Sequence, residues 1–363
     1  MPSAPTGASA RLLVAALTSA AVLALAACGG EASAQPTVPA PVTEAPVIEA
    51  AKAAPPTPVV PPRWPLTGVA AAGEVPVRPA LAVKIENSGE ARPQTGLEQA
   101  DVVWEEVVEG GITRFVAVFH SQVPAEIGPI RSVRPMDPAI ASPLHGLIAF
   151  SGGQPGFVQA LSASGLQILS QDKGAAGFFR KKGVAPAPHN VYGTPETMWG
   201  QADGAHSAAP PTQFTVARQA GQATATLSGT PATSVDITMS GYSHPQWAWD
   251  AASGTWLRSE GAKPATARSG ARLAATNVVA LSVRLVNSGT TDPAGNPVPE
   301  TVLDGSGDGL VATGGKTVAV RWSKAVQDAP VVLTTVGGAP VSLAAGTTWV
   351  ELVPGSSGSV TPR

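Results

Sequence analysis

A single cysteine among 363 residues, Cys28, leaves this chain without internal disulfides, so any fold has to be held by buried apolar surface and hydrogen bonds. Gly and Pro number 39 and 36 and only 13% of residues are charged, a balance that points to many turns and short elements instead of long helices. The formal net charge is −2 and no basic run exceeds Arg180-Lys181-Lys182, so the electrostatic footprint of a nucleic-acid binder is missing. The class read from these patterns is α+β: an N-terminal α/β domain with a mixed sheet and short helices, followed by a small all-β C-terminal domain.

The position of Cys28 adds a location. It closes Leu25-Ala26-Ala27-Cys28, directly after the apolar run Leu12 to Leu25. That run covers 14 residues, where a membrane-spanning helix needs roughly 20, and the small residues Ala26 and Ala27 suit a cleavage site. The four residues resemble the bacterial lipobox, in which a diacylglyceryl group is joined to the thiol and the chain is cut before the cysteine. Residues 1–27 therefore read as a signal peptide and Cys28 as the lipidation site, carrying diacylglyceryl and palmitate chains that give stable anchoring. Residues 28–62 are dominated by Pro, Ala, Thr, Val and Glu with no aromatic residue, and read as a disordered tether. The partner implied is the cell membrane, reached through lipid on its extracytoplasmic face.

About 300 residues remain, more than one usual domain. The boundaries read from sequence are an N-terminal domain at 63–211, a linker at 212–233, a β domain at 234–354 and a disordered tail at 355–363. In the first, Leu81 to Ile85 is a strand ending at Glu86-Asn87. Val102 to Glu109 and Ile112 to His120 are strand-like runs separated by Gly110-Gly111, the composition of a two-residue hairpin turn. With those glycines as the loop, paired residue numbers sum to 221. Arg114 then lies opposite Val107 and diagonal to Glu105 and Glu109, within reach of a long side chain. Arg131 and Arg134 follow in a proline-flanked loop, their forks suited to carboxylate or phosphate; pairing with Glu86, Glu105 or Glu109 is the plainer use. Asp137-Pro138 and Thr194-Pro195 read as N-caps with proline at the first helical position. Phe150-Ser-Gly152-Gly153 before Pro155 has the strand, glycine turn, helix order that can present N–H groups to an anion. His189, with Asn190 and Tyr192, sits in a polar loop.

From Ser234 onward short alternating runs broken by glycines signal β structure. A hairpin is expected around Ala251 to Gly254, with further strands at Val278–Val286, Thr317–Trp322, Val331–Thr335 and Thr347–Leu352, forming a small sandwich or open barrel. Asp304-Gly-Ser-Gly-Asp308-Gly reads as a turn, because the twelfth position of a calcium loop would be Gly315. No cofactor or metal is indicated, and no GxSxG, HExxH, paired CxxC or GxGxxG is present.

Several spaced motifs carry a resemblance. Ala82-Val-Lys-Ile-Glu86-Asn87, Arg92-Pro-Gln94-Thr-Gly96, Glu109-Gly-Gly-Ile-Thr-Arg114-Phe, Gly128-Pro-Ile-Arg131-Ser-Val-Arg134-Pro and His189-Asn190-Val-Tyr192 resemble the YerB-like bacterial lipoproteins, a domain of unknown function numbered 3048. Ala275-Thr-Asn-Val-Val279, Gly315-Lys316, Trp322-Ser-Lys324 and Gly346-Thr-Thr-Trp349-Val-Glu351-Leu are similar to that family's C-terminal domain. One departure is Glu86, where the family commonly has Asp. The resemblance implies a lipid-anchored location and a two-part layout, and carries no activity with it.

The leading expectation is an envelope protein that binds a polar or anionic cell-wall ligand. The candidate residues are Asn87, Arg92, Gln94, Glu105, Glu109, Arg114, Arg131, Arg134, His189 and Asn190. A glycan hydrolase or transferase using Glu105 and Glu109 is the alternative. Residues four apart on a strand lie about 13 Å apart, long against the roughly 5–9.5 Å that such carboxyl pairs require. A third reading is a scaffold that presents its β domain to another envelope protein.

Overall fold

Runs rich in Val, Ile, Leu and Phe become strands buried along their whole length: β1 (Leu81–Glu86), β2 (Val102–Val107) and β3 (Thr113–Phe119). A strand with no exposed residue must be covered on both faces. β3 runs antiparallel to both β1 and β2, and β4 (Leu147–Phe150) and β5 (Gln167–Ser170) extend the sheet parallel to β1. The helices α1 (Asp137–Ala141) and α2 (Pro155–Ser162) lie in the connections, followed by the small hairpin β6 (Phe178–Arg180) and β7 (Val191–Gly193) and by α3 (Pro195–Trp199). The computed structural model describes residues 60–363; Cys28, the signal peptide and all but the last three tether residues lie outside the described residues.

The rest of the chain is almost entirely strand. After α4 (Thr224–Ser228) and β8 (Thr230–Pro231) come β9 (Ser234–Thr238), β10 (Pro245–Asp250), β11 (Thr255–Glu260), β12 (Lys263–Pro264) and β13 (Ala274–Ala275). Then follow β14 (Asn277–Thr291), β15 (Pro297–Val302), β16 (Gly305–Thr313), β17 (Lys316–Lys324), β18 (Val332–Thr335), β19 (Thr348–Pro354) and β20 (Ser359–Pro362). One mixed sheet has the order β18-β17-β16-β14-β19-β2-β3-β1-β4-β5, and a second has β12-β11-β10-β9-β20 with β13 beside β11. The join is parallel pairing of β19 with β2, Glu351 beside Glu105. The sandwich expected within the C-terminal segment alone is thus completed by N-terminal strands.

Two cores result. Val83, Ile85, Val103 and Phe115 pack with Trp247, Trp256 and Trp349 between the sheets, whereas Ala82, Trp104, Val116 and Val118 pack on the other face with Met136 and Ile140 around α1. Residues 59–363 form one compact unit, and every residue of both cores lies within it. Among the described residues no helix is long and apolar enough to cross a membrane.

The hairpin register differs by one residue from the sequence expectation. Val102 pairs with Val118 and Glu106 with Arg114, so the numbers sum to 220. The turn takes in Glu109 as well as the two glycines, closed by Val108 N to Ile112 O at 2.8 Å, with Gly110 and Gly111 at φ 69° and 75°. A one-residue slip exchanges the faces of β3 relative to β2. Arg114 therefore shares a face with Glu106, and Glu105 points to the other side.

Other expectations are corrected too. Residues 355–363, read as a disordered tail, include β20, which pairs with β9 from Ser359 to Pro362. The linker at 212–233 holds α4 and β8. Asp137 does not cap α1; its carboxylate accepts from the Arg134 N–H and from Lys84. Thr194 likewise makes no side-chain cap.

Candidate functional site

The C-terminal ends of the parallel strands β1, β2 and β4 gather most of the candidate residues, and the sheet sorts them onto two faces. On the helix face, Glu86 at the end of β1 is 1% exposed. His189 Nδ1 lies 2.9 Å from its Oε1, and Ser88 Oγ donates to the same oxygen at 3.1 Å. Arg131 Nε lies 3.3 Å from Oε2, close enough for ionic attraction but without the alignment of a hydrogen bond. Arg134 grips Glu109 through Nε at 2.9 Å and Nη2 at 2.6 Å. Between these pairs lies Arg114, 5% exposed, whose Nη1 donates to Ser132 O at 3.0 Å while its Nε finds no acceptor. Burial, then the neighbouring charges of Arg134 and Arg131, pull the Arg114 pKa down to about 10. Asn190 accepts from the exposed Arg180 at 2.8 Å.

Beneath this group runs a second that the sequence reading passed over. Lys84, wholly buried in β1, is ion-paired with Glu106 and, at 2.7 Å, with Asp137. Burial, then the charge of Asp137, raises the Glu106 carboxyl to about 7, with Lys84 acting in the opposite direction. A lysine inside an apolar strand run was the available signal, since a buried ammonium has to find a carboxylate.

On the sheet-facing side Asn87 is the hub. Its Nδ2 donates to Thr113 Oγ1 and Glu105 Oε1, and its Oδ1 accepts from Arg92 Nε at 2.9 Å and Gln94 Nε2 at 3.0 Å. Behind it Arg258 of β11, fully buried, spans Glu105 at 2.8 Å, Glu351 at 2.9 Å and Glu260 at 2.9 Å. The rings of Trp349, Phe115 and Trp247 lie 4.9, 5.4 and 5.5 Å from its guanidinium carbon. Burial and then the charge of Glu105 raise Glu351 well above the ordinary carboxyl range. Burial also acts to raise Glu105, but Arg258 and hydrogen bonds from Glu351 and Thr113 outweigh it, so its net shift is downward. The two carboxyls are thus driven apart, Glu105 toward its anionic form and Glu351 toward its protonated one. Arg258, Glu260 and Glu351 were not singled out from sequence, because nothing local marks a residue that meets its partners only across two sheets.

The candidates thus do not converge on one cleft. Arg114, Arg131, Arg134, Glu109 and His189 share the helix face; Asn87, Arg92, Gln94 and Glu105 share the other. Glu105 is sealed between the sheets and Glu109 is held by Arg134 on the opposite side, so the two do not flank a common space as a glycosidase pair must. Among the described residues no cluster of His, Cys, Asp and Glu has the arrangement of a metal site.

Comparison with known proteins places this architecture. The description "Protein of unknown function (DUF3048) N-terminal domain" matches residues 66–208, and the matching C-terminal domain covers 235–350. The chain belongs to the DUF3048 family. Within it, "Putative lipoprotein YerB" of Bacillus subtilis (strain 168) is 34% identical over 128 residues, 35% of this chain and 39% of that protein. The aligned part is therefore less than half of that relative's length. The crystal structure of YerB protein from Bacillus subtilis matches with a TM-score of 0.70 at 24% identity, over 82% of this chain and 99% of that one. At that identity the likeness speaks for the DUF3048 fold.

Proposed function

We propose that this DUF3048 chain is an envelope lipoprotein, anchored through lipid on Cys28 at the extracytoplasmic face of the membrane, that binds an anionic group of a cell-wall polymer at the helix-face arginine cluster. The name of its Bacillus subtilis relative and the sequence around Cys28 support the anchoring. The observation that carries the binding is that the guanidiniums of Arg114 and Arg131 make one hydrogen bond to protein between them, Arg114 Nη1 to Ser132 O. Two guanidiniums bring ten N–H donors, and such donors are seldom left idle without a counter-group. The local charges lean the same way. Lys84, Arg114, Arg131 and Arg134 stand against Glu86, Glu106, Glu109 and Asp137, and Glu106, raised to about 7, is half-protonated at neutral pH. Arg131 is the accessible member, its side chain 20% exposed beside His189 at 23%.

The test is co-sedimentation of residues 60–363 with purified cell walls. Arg131→Ala is expected to weaken binding about tenfold, the loss of one charge-assisted contact, and added salt to weaken it further. Equal retention of wild type and Arg131→Ala on walls refutes the site.

A further inference from the structure

A cavity of about 200 Å³ opens on the other side of the molecule, where the Arg92-Pro93-Gln94 loop meets β11 and β12. It is independent of the arginine cluster, being lined from both halves of the chain at the seam between the sheets. Its floor is apolar: Pro93, with Ala265 and Leu273 buried beneath. The polar wall is held from behind. Gln94 is 2% exposed, and its Nε2 donates to Glu86 O at 3.1 Å and Asn87 Oδ1 at 3.0 Å. Both partners are acceptors, which fixes the amide so that Oε1 is the unengaged atom; among the described residues nothing donates to it. Arg92 is clamped through Nε and Nη2 by Asn87 and, at 3.1 Å, by Glu260. Its Nη1 has no acceptor among the described residues, nor has Nζ of the exposed Lys263 on the same rim.

The charges around this cavity do not cancel. Of the three charged side chains that line it, Arg92 and Glu260 pair with each other at 3.1 Å. Lys263 is left over, one positive charge on the rim. The seam therefore offers two donors with an unmet positive charge, one fixed acceptor, and an apolar floor a few atoms across. A carboxylate answers the first, an amide N–H the second, a short aliphatic group the third. We propose that the seam pocket binds an N-acylated small apolar amino-acid carboxylate, the chemistry of a peptide's carboxy terminus. The carboxylate sits between Arg92 Nη1 and Lys263 Nζ, the adjoining amide N–H donates to Gln94 Oε1, and the methyl side chain rests on Ala265 and Leu273. The volume, below the 300 Å³ or so where drug-sized pockets begin, suits one terminal residue.

The experiment is calorimetric titration of residues 60–363 with N-acetyl-alanyl-alanine in its L,L and D,D forms, its carboxamide, and free alanine. Saturable binding of at least one stereoisomer is expected. The carboxamide should bind at least about tenfold weaker for want of the ion pair, and free alanine likewise, because its ammonium would add a positive charge to a pocket that already carries an unmet one. Lys263→Ala, which removes an exposed side chain with no protein partner, is expected to weaken binding about tenfold with the melting temperature unchanged, while Ala265→Leu fills the floor and abolishes it. Arg131→Ala should leave this binding intact, so the seam pocket and the arginine cluster stand or fall separately. Equal affinity for acid and carboxamide, or no saturation by about 10 mM, overturns the proposal.

Discussion

Glu106 shows what a single buried group contributes here. Its carboxyl is raised to about 7 from an ordinary 4.5, first by burial and then by Asp137, with Lys84 opposing. A folded-state pKa above the unfolded one means the folded chain binds the proton more tightly. The resulting stabilisation is complete below about pH 4.5 and is lost as pH rises through about 7. Glu106→Gln cannot titrate, so the unfolding free energy of wild type relative to this variant is expected to fall between pH 5 and pH 8. Urea titrations of both proteins across that range read it directly. A difference that stays constant with pH would show that Glu106 does not change its proton occupancy. Legibility at this scale was uneven. Glu105 and Arg114 stood out as charges within strand-like runs, Arg131 by its proline-flanked loop and His189 by its polar neighbours, whereas Lys84 inside its apolar run did not. Which carboxylate each arginine meets was not readable, because it depends on a hairpin register that three loop residues set instead of two.

Among the elements, the hairpin of β10 and β11 could be read directly, since alternating tryptophans flank a turn and the partners are adjacent in sequence. β16 could not. Its glycines at 305, 307 and 309 with Asp308 read as a turn, and the reason they are strand residues lies in other strands. Trp322 of β17 lays its indole across β16 to donate to Ser282 O of β14 at 2.9 Å. A Cβ on Gly307 would fall 2.5 Å from Trp322 Nε1 and 2.7 Å from Ser282 O. Glycine is required by close approach and not by a turn. Gly307→Ala is accordingly expected to destabilise by about 1–3 kcal/mol, the usual scale of overpacking. Gly241→Ala, whose Cβ would meet nothing within 4 Å, should stay within about 0.5 kcal/mol. Chemical denaturation of the two variants separates these outcomes; equal costs would mean that the indole moves aside freely.

For the molecule as a whole, the question is whether the two family segments behave as separate bodies. The sequence suggested a break near residues 212–233, where composition shifts, and composition cannot report strand pairing across a long separation. Two observations bind the segments. β19 pairs with β2 over four residues. Arg258 from the C-terminal segment is the fully buried counter-ion of Glu105 from the N-terminal one. A domain interface that could open would have to hydrate that cluster, whereas here three aromatic rings surround the guanidinium. The expectation is that residues 60–363 unfold in one transition, with tryptophan fluorescence and far-UV circular dichroism giving the same midpoint. Arg258→Met leaves Glu105 and Glu260 without their buried partner, and breaking such a pair costs about 3–5 kcal/mol. Its transition should therefore move to lower denaturant for both probes together. Were the segments independent, the probes would separate even in the wild-type chain, since Trp104 and Trp199 report on one segment and Trp247, Trp249, Trp256, Trp322 and Trp349 on the other. Arg258→Met would then shift only part of the signal. A coincident shift ties the whole DUF3048 fold to a charge cluster that no stretch of sequence contains by itself.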